Sequence, residues 1–266
     1  MRAIQKEKLR VEIYETRALM GAAAAKIIGE KIIELSKLKE FVNIIFASAP
    51  SQNEFLAGLN KMPVDWSRVN AFHMDEYVGI GLDAPQGFGN FLKERLFDHV
   101  ACREVHYMDG LAEDLEKECE RYSGLLQKYP VDIVCLGIGE NTHLAFNDPH
   151  VADFNDPKIV KVVDLDQACR LQQVNDGCFK SLDEVPTHAL TITIPALFRV
   201  PNAYAIVPGP LKANAIYHTL NSEISEHYPS TILRRHDNAL LFVDEASAAK
   251  LQEREPLDSP EVPAQK

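Results

Sequence analysis

One stretch of the chain gathers groups able to move protons. Residues 131–149 read VDIVCLGIGENTHLAFNDP. The front of the stretch is a continuous apolar run, Val131, Ile133, Val134, Cys135 and Leu136, the pattern of a strand buried on both faces. The run breaks at Gly137-Ile138-Gly139 and is followed by Glu140, Asn141, Thr142, His143, Asn147 and Asp148. In an open α/β sheet, ligands bind beyond the carboxyl ends of strands, where a Gly-rich turn lets backbone approach them closely. A histidine among acids and amides on such a turn is a candidate acid–base site. A plainer reading is a polar loop that caps the next helix. A second cluster weighs against it: Asp75 and Glu76 stand side by side where the strand at 69–74 gives way to HMDEYVGI. A carboxylate there serves as a base or ligand, or is merely a solvated loop acid.

These groups need elements to position them. Residues 10–15 alternate as a strand, and Thr16 is placed to cap a helix over 17–38 with Ile28, Ile32 and Leu35 on one face. Residues 42–48, VNIIFAS, are a β-branched strand, and the loop 48–53 after it presents Ser48, Ser51, Gln52 and Asn53 at the start of another helix. Such an end offers N–H donors to a phosphate, although Ser and Asn also cap helices everywhere. Helical sequence follows at 90–100 and 112–128, with a short strand or loop at 103–109. Beyond Pro149 the period loosens until a strand at 159–163 and a helix at 165–179, which carries Arg170, Gln172 and Gln173 either exposed or pointed at a ligand. Two more strands, 188–194 and 203–207, precede a Pro208-Gly209-Pro210 turn with Lys212 in the first turn of its helix, another anion-site pattern. Residues 230–233 read as a helical turn and 238–244 as a strand. Strands alternating with helices predict an α/β fold with a largely parallel sheet and helices on both faces. We expect one domain over 1–252 and a frayed, Pro-rich tail over 253–266.

Composition restricts the partners. The 266 residues include 39 acidic and 28 basic side chains, a formal charge of −11, with no concentrated basic patch. That surface repels nucleic acid and anionic membrane. No apolar run approaches the ~20 residues of a membrane span, and the N-terminus lacks the apolar core of a signal peptide. Five scattered cysteines without a C-x-x-C pair predict reduced thiols in a cytoplasmic protein, with neither zinc nor disulfides. A small-molecule metabolite is the expected partner, and a homo-oligomer is permitted. No G-x-G-x-x-G opens a helix after the first strand, which argues against a dinucleotide-binding oxidoreductase.

Taken together, Met74-Asp75-Glu76-Tyr77-Val78-Gly79 and Gly137-x-Gly139…His143-x-Ala145-Phe146-Asn147-x-Pro149 resemble the glucosamine-6-phosphate deaminase/isomerase family. Phe97-Asp98-His99-Val100, Arg170 and the Gly209…Lys212 turn support the resemblance, which runs from about residue 10 to 250. It implies a modified Rossmann-like fold, shared with 6-phosphogluconolactonase. It also implies conversion of an amino sugar phosphate to fructose 6-phosphate and ammonia without a cofactor or metal. By resemblance, Asp75 is the base at C2, His143 opens the pyranose ring, and Asp148 stands where the family has Glu as acid partner of the histidine. Substrate contacts are implied for Glu76, Gly137 and Gly139, and phosphate contacts for Arg170, Lys212 and the loop Ser48 to Asn53, with its Ser51, Gln52 and Asn53. The chain departs from the family at Asn141, where the acid two residues before the histidine is expected, at Thr142 in place of Gly, and at Pro50-Ser51 in place of the Gly-Gly of the phosphate loop. The segment after Pro149 lacks the basic, Ser-containing allosteric pattern of some members. A lactonase relative carries Thr-Ala-Ser after the histidine, whereas this chain has Leu144-Ala145-Phe146-Asn147. A non-catalytic sugar-phosphate sensor is the other alternative, prompted by Asn141.

Overall fold

The structure is a computed structural model and describes residues 1–175 and 177–251; the tail expected after 252 lies outside them. Two strands, β1 (Arg2–Lys6) and β2 (Leu9–Tyr14), form an antiparallel hairpin at one edge. The long helix α1 (Arg17–Leu38) begins where expected, the Thr16 hydroxyl accepting the Leu19 N–H at 3.2 Å. Then come β3 (Val42–Phe46), α2 (Asn53–Leu59), β4 (Val69–His73), β5 (Asp75–Tyr77), α3 (Phe88–Leu92, extended by a wide turn through Phe97), β6 (Glu104–His106), α4 (Leu115–Lys128) and β7 (Ile133–Leu136). The second half contains β8 (Val160–Asp164), α5 (Gln167–Asn175), β9 (His188–Ile192), α6 (Ile194–Phe198), β10 (Asn202–Val207), α7 (Ala213–Asn221) and β11 (Ala239–Asp244).

The main sheet has the order β1-β2-β11-β10-β7-β3-β4-β6. Every pairing from β2 to β6 is parallel, so those strands present their carboxyl ends along one side. Alternate residues explain why the central strands read as unbroken apolar runs. Ile133 and Cys135 of β7 pack with Ile44 and Phe46 of β3 under α1 and α2, while Val134, Leu136 and Ile45 face α4, α6 and α7. Both faces are therefore covered by helices. Glycine sets how closely the first two helices approach. A Cβ at Gly21 of α1 would lie 2.4 Å from Glu54 Cβ, so only glycine lets α1 press against Glu54 and Phe55 of α2.

One expectation needs correction. Residues 188–194 do not join the parallel sheet; β9 is the centre of a separate three-stranded antiparallel sheet, β5-β9-β8. Asp75 and Glu76 consequently lie in a short strand rather than in a loop, paired with Thr191 and Leu190. The chain leaves the main sheet at Met74, whose carbonyl accepts the Ile192 N–H at 2.9 Å. An aromatic cluster of Tyr77, Phe88 and Phe146, ring centroids 4.7–5.4 Å apart, fills the angle beside this sheet.

Candidate active site

The carboxyl ends of the parallel strands open into a cavity of about 660 Å³. Each wall follows a strand: Arg17 after β2, Ser48 to Ser51 after β3, Met74 and Asp75 after β4, Gly137, Ile138, Gly139 and His143 after β7, and Pro208 to Lys212 after β10. Phe88, Phe91, Glu94, Arg95, Phe146, Gln172 and Gln173 also line it.

His143 is 8% exposed and lies on Gly139 so closely that a Cβ there would be 2.1–2.4 Å from three ring atoms. Glycine at 139 is thus a requirement of the ring's position. The Nδ1 atom faces Asn141 Oδ1 at 2.7 Å and Asp148 Oδ1 at 3.0 Å. Two acceptors call for a proton on Nδ1, leaving Nε2 to exchange a proton with a ligand. Asn141 also donates through Nδ2 to Asp148 Oδ1 at 2.7 Å, so amide, carboxylate and imidazole form one closed triangle. Burial works to raise the Asp148 carboxyl, but the charge and hydrogen bond of His143 and the hydrogen bonds from Asn141 and Cys169 outweigh it and hold the group at about 2. His143, Asp148 and Cys169 bring one donor atom each within 4.8 Å and are the group among the described residues able to hold a metal ion. With Nδ1 engaged by two oxygens, the arrangement is that of a hydrogen-bonded relay.

The turn that carries His143 is held from several sides. Thr142 adopts φ +73°, a left-handed conformation costly for a β-branched residue, and its carbonyl accepts the Ser230 N–H at 2.9 Å. Asn147, fully buried, donates to the carbonyls of Leu144 and Ile192, each at 2.8 Å, and the Phe146 N–H reaches Thr191 Oγ1 at 3.0 Å. The motif is therefore bolted to β9.

Asp75 is 7% exposed and faces the same cavity. Burial first, and the Glu76 carboxylate second, push its carboxyl well above the ordinary range. That is the condition of a base poised nearer neutrality.

The structure brings Asp75, Gly137, Gly139, His143, Ser51 and Lys212 to one cavity, with Asn141 and Asp148 directly behind His143. Four other candidate residues point elsewhere. Glu76 accepts the N–H groups of Tyr77 and Phe88 at 3.0 Å and of Gly89 at 2.8 Å, tying β5 to the start of α3. Arg170 donates to the carbonyls of Leu182 at 2.7 Å and Val185 at 2.9 Å. Gln52 reaches Ile206 O and Ser51 Oγ, and Asn53 Oδ1 accepts from Arg95 Nε at 2.9 Å. Conversely, Arg17, Arg95, Phe88 and Phe91 line the cavity without having been singled out. Arg17 was concealed by its place just after a helix cap; only the order of the strands reveals that β2 ends beside the cavity.

Residues 15–242 match the family described as glucosamine-6-phosphate isomerases/6-phosphogluconolactonase. The chain belongs to this family. Among its relatives, a glucosamine-6-phosphate deaminase of Bacillus cereus (strain G9842) is 36% identical over 227 residues, 85% of each chain. One from Bacillus cereus (strain B4264) is 33% identical over 245 residues, 92% of this chain and 90% of the relative. Among solved structures, a monomeric glucosamine-6-phosphate deaminase superimposes with a TM-score of 0.83 at 28% identity, covering 90% of this chain and 98% of that one. The 6-phosphogluconolactonase of Trypanosoma brucei gives 0.76 at 17% identity, covering 94% and 100%, and shares the fold. No helix among the described residues is long and apolar enough to cross a membrane.

Proposed function

We propose that this protein converts a hexosamine 6-phosphate, glucosamine 6-phosphate in the first instance, to fructose 6-phosphate and ammonia. The observation that carries the reading is the meeting of a buried carboxyl, Asp75, with the His143–Asn141–Asp148 triangle in one cavity. Relatives named as glucosamine-6-phosphate deaminases, 33–36% identical over most of the chain, support it.

In this reading His143 Nε2 shuttles the proton between the C1 hydroxyl and the ring oxygen as the pyranose opens. Asp148, ionised throughout the neutral range, stabilises the imidazolium that forms. Asn141 cannot contribute charge, but its amide fixes ring and carboxylate together. Asp75 then takes the C2 proton and gives an enolamine; C1 is reprotonated, and water replaces ammonia at C2. The net reaction is hydrolytic at a C–N bond, and a cytoplasmic setting fits a charged, phosphorylated metabolite. The catalytic unit is the single domain of residues 1–252.

The test is ammonia release from a panel of hexosamine 6-phosphates, gluco and galacto, with unphosphorylated glucosamine as control. Ammonia from none of them refutes the proposal. Hydrolysis of 6-phosphogluconolactone instead would place the chain with the lactonases.

A further inference from the structure

A hexosamine 6-phosphate brings a dianion into the cavity, and the guanidinium assigned to it by resemblance is turned away. Arg170 is committed to the carbonyls of Leu182 and Val185. The loop after β3 is also poor in backbone donors, because Pro50 has no N–H and the Gln52 N–H bonds to Ala49 O at 2.9 Å. Side chains must do what a Gly-Gly loop does elsewhere.

Three lie in place. Ser48 lines the cavity at 6% exposure, and its Oγ has no hydrogen-bond partner among the described residues. A hydroxyl so deeply buried costs free energy unless something in the cavity pairs with it. Lys212 lines the cavity after the Gly209 turn and is 8% exposed. Arg17 lines it from the first turn of α1, hydrogen-bonded to the Pro50 carbonyl and ion-paired through Nε with Glu54 at 2.7 Å. These contacts fix the guanidinium beside the loop before any ligand arrives, which lowers the ordering cost of binding. Arg95 is the competing cation on the wall. It is stacked on Phe91 at 4.0 Å, bonded to Asn53, and neighboured by Glu94, which lines the same cavity and offsets its charge. The carboxylate partner of Arg17, Glu54, is not among the described residues lining the cavity.

We propose that Arg17, with Lys212 and Ser48, holds the 6-phosphate of the substrate in place of Arg170. The proposal rests on the hexosamine-phosphate reading above and assigns its anion site. Arg17 supplies a planar pair of donors, Lys212 a point charge, and Ser48 one hydroxyl.

The experiment uses the full-length chain and two readouts: KM and kcat for ammonia release from glucosamine 6-phosphate, and the inhibition constant of inorganic phosphate. Arg17→Ala is expected to raise both KM and the phosphate inhibition constant roughly 10- to 100-fold, with a smaller change in kcat. Arg17→Lys should recover part of the loss by restoring charge without the planar fork. Arg170→Ala should lower the melting temperature and affect phosphate inhibition less than Arg17→Ala. A merely structural role for Arg17 would change the melting temperature while leaving phosphate inhibition unmoved, and that result overturns the proposal. So does Arg170→Ala weakening phosphate more than Arg17→Ala. If the wild type releases no ammonia yet phosphate protects it against heat through Arg17 alone, the deamination reading falls and the anion site stands.

Discussion

Glu76→Gln separates a structural acid from a catalytic one. Glu76 is 3% exposed and receives three backbone N–H groups, yet burial outweighs them and raises its carboxyl from 4.5 to about 7. A carboxyl raised on folding stabilises most below its unfolded value, and that contribution fades as pH climbs through the folded value. For Glu76 the loss runs from about pH 4.5 to just above 7. The raised value corresponds to about 3 kcal/mol, or roughly 6–12 °C in melting temperature for a chain of this size. Glutamine removes this slope. It also presents an NH2 group where the second carboxylate oxygen had accepted an N–H, at Gly89 or at Tyr77 and Phe88, costing about 1–3 kcal/mol. Glu76→Gln should therefore melt below wild type at pH 5 and draw level with or pass it at pH 8. Because the Glu76 charge helps to raise Asp75, the variant's acidic limb of kcat/KM should move to lower pH. Thermal melts at half-unit intervals from pH 4.5 to 8.5, paired with pH–rate profiles, read both effects. A variant whose melting curve keeps the wild-type slope refutes the assignment of that slope to Glu76.

Asp75→Asn should abolish turnover and C2–solvent proton exchange while raising thermal stability at neutral pH, since it removes a buried acid whose ionisation is disfavoured; retained exchange, followed by NMR in deuterium oxide, would assign the base elsewhere. Gly139→Ala drives a methyl into the His143 ring and should lower kcat by 100-fold or more, which steady-state kinetics at fixed saturation will detect. Asn141→Asp adds a second negative charge beside the relay and should move the basic limb of kcat/KM to higher pH, most clearly for substrate supplied as the closed ring; superimposable profiles would separate residue 141 from the proton path.

The candidate site was legible where type and spacing act locally. Gly137, Gly139, His143 and Asp148 belong to one turn, and β7 before them is apolar on both faces, so a linear reading reaches strand and loop together. The helix at 17–38 and its Thr16 cap were equally local. Side-chain direction was not. Arg170 and Glu76 have the charge expected of ligand-binding residues, but backbone groups more than ten positions away in sequence claim them. The small sheet escaped for a similar reason: β9 has the same apolar alternation whether it joins the main sheet or leaves it. What decides is the break at Met74, where Ile192 captures a carbonyl that the parallel ladder would otherwise use.

That second sheet has a dimensional consequence. The proposed phosphate holders, Arg17, Ser48 and Lys212, stand on the ends of the main sheet. Asp75 lies in β5, and the His143 loop is tied through Phe146 and Asn147 to β9, so both proposed acid–base groups are registered to the smaller sheet. On that proposed assignment, the offset between the two sheets would work as a ruler along the sugar, fixing how many carbons separate the anchored end from the reacting end. A substrate one carbon shorter or longer would meet the same residues at the wrong interval, and chain-length selectivity would reside in the seam at Met74 rather than in any one group that holds phosphate or moves a proton.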